Sequence, residues 1–136
     1  MSILIDTHVF LWGAGIGKRL SKGALDLLDD PETPIFLSVA SAWEIAIKWS
    51  KGRLELPEHP SQVIKNTIAT SGMSQLAVTM RDAVTVADLP FHHKDPFDRL
   101  LIAQAKNNGL RLMTADPVLE KYDVDVIALW LDEEDE

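Results

Sequence analysis

The stretch DPFDRLLIAQAKNNGLRLMTAD, residues 95–116, decides the fold of this chain. Pro96 suits the first turn of a helix, because an N–H at that position has no partner within the helix. Apolar residues then recur at helical spacing as far as Asn108, and Gly109 is the residue type that most often follows a helix end. The run from Arg111 to Thr114 predicts a strand. The stretch therefore predicts one helix–strand unit of an α/β protein.

Predicted strands and helices alternate through the rest of the chain as well. Short apolar runs typical of buried strands lie at residues 2–5, 35–37, 76–78 and 124–129. Helices are predicted between these strands at about 9–12, 21–30, 39–51, 61–71 and 79–89. This alternation predicts an α/β fold with a parallel sheet that carries helices on both faces.

The composition indicates one domain of ordinary hydrophobicity. The chain has 136 residues, 46% of them are hydrophobic, and none is cysteine. The lack of cysteine excludes disulfides, thiolate metal sites and a cysteine nucleophile, and it fits a reducing cytoplasm. No apolar run approaches the roughly 18 residues of a membrane span, and the N-terminus lacks the pattern of a secretion signal. We therefore expect a cytoplasmic protein with no membrane contact.

The net charge of −8 is concentrated at the C-terminus. Residues 132–136 are all acidic, and without these five the 21 acidic residues fall to 16, against 13 basic ones. We expect residues 1–131 to form the domain and residues 132–136 to form a solvated acidic tail. The domain itself is only mildly acidic, so its charge argues weakly against a nucleic-acid partner.

Four carboxylates stand out against this predicted fold. Asp6 and Asp116 follow predicted strands, and ligands of parallel sheets bind outside the carboxyl ends of the strands. Glu44 and Asp98 lie on predicted helices, Asp98 near a helix start. Each acid alone also has a structural explanation. Asp6 and Asp116 can cap the turns that follow them, Asp98 can complement a helix dipole, and Ser41 with Glu44 matches a capping box.

Taken together, the four acids predict a metal site at one rim of the sheet. Four carboxylates in one pocket would repel each other unless cations lay among them. Oxygen ligands without His or Cys suit Mg²⁺ or Mn²⁺. Such a site lowers the pKa of water and stabilises an in-line displacement at phosphorus. The neighbouring Asp95 is better explained as a structural residue at the helix start, where it can pair with Arg99.

Three further residues are candidates for orienting the metal's carboxylates or for contacting phosphate, namely Thr114, Arg99 and Lys48. Arginine suits bidentate phosphate recognition and lysine offers a point charge, while surface pairing remains an equal alternative for each. We assign no metal role to His92 and His93, because they lie in a loop bracketed by prolines without ligand spacing on one element. As sequence neighbours they should also point apart, which argues against a metal-free histidine pair.

The order and spacing of these motifs resemble the PIN-domain family, and within it the VapC-type toxins. The segment LIDTH at residues 4–8 resembles the opening strand with the first acid, and SVASAWEIAIK at 38–48 resembles the helix with the second. The segment HKDPFDRLLIAQA at 93–105 resembles the helix with the third acid, and LMTAD at 112–116 the strand with the fourth. The resemblance covers essentially the whole chain, and no acid position departs from it.

The resemblance implies a three-layer α/β/α sandwich and a metal-dependent endoribonuclease. Mg²⁺ or Mn²⁺ held by the catalytic acids Asp6, Glu44, Asp98 and Asp116 would activate a water that cleaves an RNA phosphodiester. The resemblance also implies a homodimer, and a small antitoxin that blocks the site of this toxin in a type II toxin–antitoxin system. The alternative is a catalytically inactive PIN-like module that serves only protein interaction.

Two other classes of α/β protein also use an aspartate that follows the first strand. Phosphatases of the haloacid dehalogenase type need a second aspartate two residues later, where this chain has His8. Receiver-type signalling modules need a paired acid before the end of the first strand and a lysine after the last strand, and the sequence lacks that pattern. Both classes are therefore disfavoured.

Overall fold

The computed structural model describes residues 2–128, and over that range the chain forms five strands and six α-helices. The strands are β1 (Ile3–Ile5), β2 (Ile35–Ser38), β3 (Ser74–Leu76), β4 (Arg111–Thr114) and β5 (Val126–Ala128). The helices are α1 (Thr7–Gly13), α2 (Lys22–Asp29), α3 (Val39–Ser50), α4 (Pro60–Ser71), α5 (Met80–Thr85) and α6 (Pro96–Asn108). Two short 3₁₀ segments span Val86–Asp88 and Pro117–Lys121.

The five strands form one parallel sheet in the order β3-β2-β1-β4-β5. The central strand β1 pairs Ile3 with Ile35 of β2 on one side and with Arg111 of β4 on the other. The chain thus builds outward from β1 to β3, then returns to the opposite side of β1. Such a reversal opens a crevice at the carboxyl ends of the strands, and ligands of open α/β sheets bind there. The predicted parallel α/β sheet is confirmed.

Helices cover both faces of the sheet and create two cores. Ile3 and Ile5 of β1 point to one face, where Phe10 of α1 packs in the same buried cluster. Leu4 points to the other face and packs with a cluster that includes Leu101 of α6. Successive strand residues face opposite sides, so a strand covered on both faces is apolar throughout. The result is the predicted three-layer α/β/α sandwich.

The helices that carry the site acids begin at well-defined caps. The side chain of Asp95 accepts from the N–H groups of Phe97 and Asp98 at the start of α6, which supports its predicted structural role. Helix α3 begins one turn before the predicted capping box, because Ser38 at the end of β2 is its cap and accepts from the N–H of Ala40. The capping-box explanation of Glu44 is therefore wrong, and its carboxylate is available for other contacts.

Several predicted boundaries differ from the structure or go beyond it: α1 extends the predicted helix 9–12 at both ends, and β5 begins two residues later than the predicted strand 124–129. The predicted strand 76–78 lies two residues earlier, and the predicted helix 79–89 is α-helical only to Thr85 before its 3₁₀ turn. The predicted tail, residues 132–136, and the domain end at residue 131 lie outside the described residues. Within residues 2–128, no helix has the length and apolar character needed to cross a bilayer.

Candidate metal site at the carboxyl edge of the sheet

Asp6 and Asp116 follow the neighbouring strands β1 and β4 and are linked through Thr114. Asp6 caps α1 by accepting from the N–H of Val9 at 2.8 Å, and its other oxygen accepts from the Thr114 hydroxyl at 2.5 Å. The same hydroxyl oxygen accepts from the N–H of Asp116 at 3.0 Å. Burial raises the pKa of Asp6, and the hydrogen bonds from Thr114 and Val9 only partly oppose that rise.

Glu44 lies on the buried side of α3 and is joined to the β1 end of the site. Its Oε1 accepts from the Thr7 hydroxyl at 2.6 Å, and Thr7 directly follows Asp6. Its Oε2 accepts from Nζ of Lys48, one helical turn later, also at 2.6 Å. The side chain of Lys48 is 40% exposed, so its charge faces both the carboxylate and the solvent. Lys48 therefore pairs with Glu44 across one helical turn and remains partly exposed.

Asp98, in the first turn of α6, also has a perturbed carboxyl group. Its pKa is raised to about 7, chiefly by burial and then by the negative charges of Asp95, Asp6 and Glu44, with His93 acting in the opposite direction. These effects place Asp6, Glu44 and Asp98 within one electrostatic environment. A cation in that environment would favour the ionised form of Asp98 and relieve the repulsion.

His93 joins the last two acids, and the sequence analysis missed this contact. Its Nε2 lies 2.9 Å from Oδ2 of Asp116 and 3.3 Å from Oδ2 of Asp98. One donor atom from each of the three residues lies within 4.8 Å of the others. His92 instead packs edge-on against the ring of Tyr122, so the adjacent histidines do point apart, as predicted. The position of His93 in the same segment as Asp98 was the available sequence signal.

Arg99 does not join the acids, although it was a candidate for phosphate contact. The buried guanidinium donates at 2.8–3.3 Å to the carbonyl oxygens of Val86, Leu89 and Pro90 and to the hydroxyl of Tyr122. These acceptors also replace the expected ion pair with Asp95. The carbonyls that Arg99 engages belong to the segment that follows α5. Arg99 therefore holds the loop that leads to His93.

The donor set fits a hard divalent cation. Carboxylate oxygens predominate at the site, and these are the ligands that Mg²⁺ and Mn²⁺ prefer. The raised pKa values of Asp6 and Asp98 indicate that burial and mutual repulsion are not fully offset by the hydrogen bonds around them. A cation bound among these acids would supply the missing compensation.

Comparison of the sequence with known families and proteins gives a consistent result. A family model described as the PIN domain matches residues 3–125. Ribonuclease VapC22 of Mycobacterium tuberculosis (strain ATCC 25618 / H37Rv) is 26% identical over 122 residues, which cover 89% of this chain and 92% of that protein. The predicted resemblance to PIN domains is thereby confirmed.

Solved structures with the same fold support the architecture. VapBC2 from Rickettsia felis, solved with a DNA fragment from its promoter, aligns with a TM-score of 0.72 and 14% identity over 96% of this chain and 100% of that chain. FitAcB from Neisseria gonorrhoeae aligns with a TM-score of 0.60 and 19% identity over 92% and 96% of the two chains. At these identities the likeness shows a shared fold.

Proposed function

The chain belongs to the PIN domain family, and from that premise we propose that it is a metal-dependent endoribonuclease, the toxin of a type II toxin–antitoxin pair. The observation that carries the proposal is a set of contacts where the strand order reverses: Thr114 links Asp6 to Asp116, and His93 links Asp116 to Asp98. Glu44 accepts from Thr7, which directly follows Asp6. A catalytically inactive interaction module would not need to keep Asp6, Glu44 and Asp98 close enough to repel one another. The similarity to a protein named ribonuclease VapC22 points the same way.

We assign Mg²⁺ or Mn²⁺ to the same four acids. When bound, the cation would supply the positive charge that makes water a stronger nucleophile and stabilises charge at the reacting phosphorus. The protein's own part is to orient the ligands. Thr114 holds Asp6, and Thr7 holds Glu44. Asp98, whose pKa burial raises to about 7, would bind the cation in its ionised form.

The surroundings of the acids support an RNA substrate. A groove beside Glu44 is lined by four basic residues, although the chain as a whole is acidic: Lys48, Lys51, Arg53 and Lys94. Cations along a groove can follow the phosphates of a single strand. An RNA strand lying there would pass directly beside the carboxylate of Glu44. Cleavage of the cell's own RNA would take place in the cytoplasm, as the cysteine-free sequence predicts.

We also propose that the protein forms a homodimer and binds a small antitoxin. The exposed face of α3 carries Val39 and Trp43, and Trp43 packs edge-on against Phe97 of α6. Exposed apolar side chains of this size mark interaction surfaces. VapBC2 from Rickettsia felis was solved on promoter DNA, which is the setting expected of a toxin held by a DNA-binding antitoxin. Sedimentation of the purified chain, with and without the product of the neighbouring gene, measures both assemblies.

The ribonuclease proposal is tested by RNA cleavage with Mg²⁺, with Mg²⁺ plus a chelator, and with the Asp98→Asn variant. We expect cleavage only by the metal-loaded protein with Asp98 intact. Asp26→Asn, an equivalent change at an exposed position of α2, is the matched control and should cut like the wild type. Equal cleavage by the Asp98→Asn variant or by the chelated protein would overturn the proposal.

A further inference from the structure

His93 lies between two site carboxylates, and the proposed chemistry gives it no role. Its side chain is 19% exposed, and its Nε2 is within 3.3 Å of carboxylate oxygens of both Asp98 and Asp116. A histidine in this position can either ligate the metal or donate a hydrogen bond to the residues that do. The two roles require opposite states of Nε2, since a ligand nitrogen must be bare and a donor must carry the proton.

The other ring nitrogen distinguishes these states. The N–H of Asp95 donates to Nδ1 of His93 at 3.0 Å. A nitrogen that accepts a hydrogen bond carries no proton, so the neutral ring has its proton on Nε2. That proton is donated to Oδ2 of Asp116, and Oδ2 of Asp98 lies 3.3 Å from the same nitrogen. For Nε2 to bind metal, the proton would have to move to Nδ1. There it would face the N–H of Asp95, and two hydrogen-bond donors would point at each other.

The amide and the ring are both held firmly, so this geometry is not a loose loop contact. The Asp95 side chain is bound to the first N–H groups of α6, which fixes the direction of its own amide. The backbone N–H of His93 donates to the Tyr122 hydroxyl at 2.9 Å. That hydroxyl also accepts from the buried Arg99, which holds Pro90 earlier in the same loop. The start of α6 and Tyr122 therefore both position His93.

We propose that His93 is a positioning residue whose Nε2–H holds Asp98 and Asp116 in place for the metal, and that it is not a metal ligand. This inference rests on the proposed metal site and adds a role that the four acids do not include. Before the metal binds, the donor offsets the repulsion between the two carboxylates. With the metal bound, it keeps them oriented. Contacts of this kind to metal ligands typically contribute about 10–100-fold in metal affinity.

The test is Mn²⁺ affinity, measured by titration calorimetry or by the EPR signal of free Mn²⁺, for the full chain and three variants. His93→Gln retains an N–H donor near the position of Nε2 but has no basic nitrogen, and His93→Ala removes both. We expect a roughly 10–100-fold loss of affinity for His93→Ala and a loss several-fold smaller for His93→Gln. His92→Ala, at the adjacent position, should bind Mn²⁺ like the wild type.

Equal losses for His93→Gln and His93→Ala would indicate a ligand and overturn the proposal, as would full affinity in His93→Ala. A second measurement uses only the wild type. The ¹⁵N signals of the His93 ring should show the Nε2–H tautomer both without metal and with saturating Mg²⁺. A change to Nδ1–H on adding Mg²⁺ would overturn the proposal whatever the variants do. A wild type that binds neither metal would remove the proposed metal site itself, a result distinct from both of these.

Discussion

Helices α3 and α6 each carry one acid of the site, and the two acids have different surroundings. Glu44 on α3 lies between the Thr7 hydroxyl and the ammonium of Lys48, so its charge is balanced within the chain. Asp98 on α6 is half-buried beside other acids, and its pKa is raised to about 7. The charge of Glu44 is therefore compensated without a cation, and the charge of Asp98 is not. We call the surroundings of these two acids the Glu44 half and the Asp98 half of the site. We infer that a bound cation contributes most at the Asp98 half.

The largest effect is expected on the rate of RNA cleavage, when a variant of the acid on α6 is compared with a variant of the acid on α3. Asp98→Asn should lower kcat/KM for RNA cleavage by at least about 10²–10³-fold, because it removes charge where the protein offers no substitute. Glu44→Gln should cost less, since the amide oxygen that remains can still accept from Thr7 or from Lys48. Cleavage rates across a Mg²⁺ titration measure both variants against Asp26→Asn. Equal losses, or a larger loss for Glu44→Gln, would remove the distinction between the two halves.

The second prediction concerns stability against pH in the presence of chelator. The folded-state pKa of Asp98 is raised from 3.8 to about 7, so the folded protein holds this proton more tightly than the unfolded chain does. Compared with high pH, protonation of Asp98 stabilises the folded protein fully below about pH 4. This stabilisation is lost as the pH rises through about 7. At higher pH, Asp98→Asn should be more stable than the wild type, by on the order of 2–4 kcal/mol.

Urea denaturation across this pH range measures the effect. The wild-type and Asp98→Asn curves should coincide in acid and separate towards neutral pH. Addition of Mg²⁺ should close the gap by stabilising the wild type alone, because a ligand of the folded state raises its stability. If the two curves stay parallel from acid to neutral pH, folding does not raise the pKa of Asp98.

The third prediction concerns the link between the two strand-end acids. Thr114→Val keeps the shape of the side chain but removes the hydroxyl that donates to Asp6 and accepts from the N–H of Asp116. We expect a loss of about 1–3 kcal/mol in the free energy of unfolding, and a further rise in the pKa of Asp6. Thr114→Ser retains the hydroxyl and should recover most of the loss. If the serine variant is as unstable as the valine variant, packing and not the hydrogen bonds is responsible.

The smallest effect is expected at the Glu44 half of the site. Lys48→Met removes the partner of Glu44, but the lysine is 40% exposed, so the loss of stability should be under about 1 kcal/mol. Mn²⁺ affinity should rise, because the cation then replaces the missing ammonium. Lys65→Met, at an exposed position of α4, controls for the general loss of one positive charge. Weaker Mn²⁺ binding in Lys48→Met would mean that the lysine orients Glu44 more than it competes for it.

The sequence by itself determined the elements and the acids, because both follow local rules. Pro96 and Gly109 bound α6 as predicted, since a proline at a helix start and a glycine after its end act within one turn. Asp6 and Asp116 were found because a carboxylate directly after a strand is visible in the order of residues. The wrong prediction of a capping box at Ser41 also came from a local pattern. Two serines could begin α3, and Ser38 was selected by its place at the end of β2, where its hydroxyl also reaches Gln104 of α6.

Only the tertiary structure decided which side chains meet around those acids. Arg99 stands one residue after a site acid, yet its guanidinium turns to buried carbonyls, since a buried charge requires hydrogen-bond acceptors and these lie in another segment. His93 has no ligand spacing in the sequence and still joins Asp98 to Asp116, 23 residues further along the chain. Contacts of this kind depend on how distant segments pack, and no periodicity or cap signal encodes that separation.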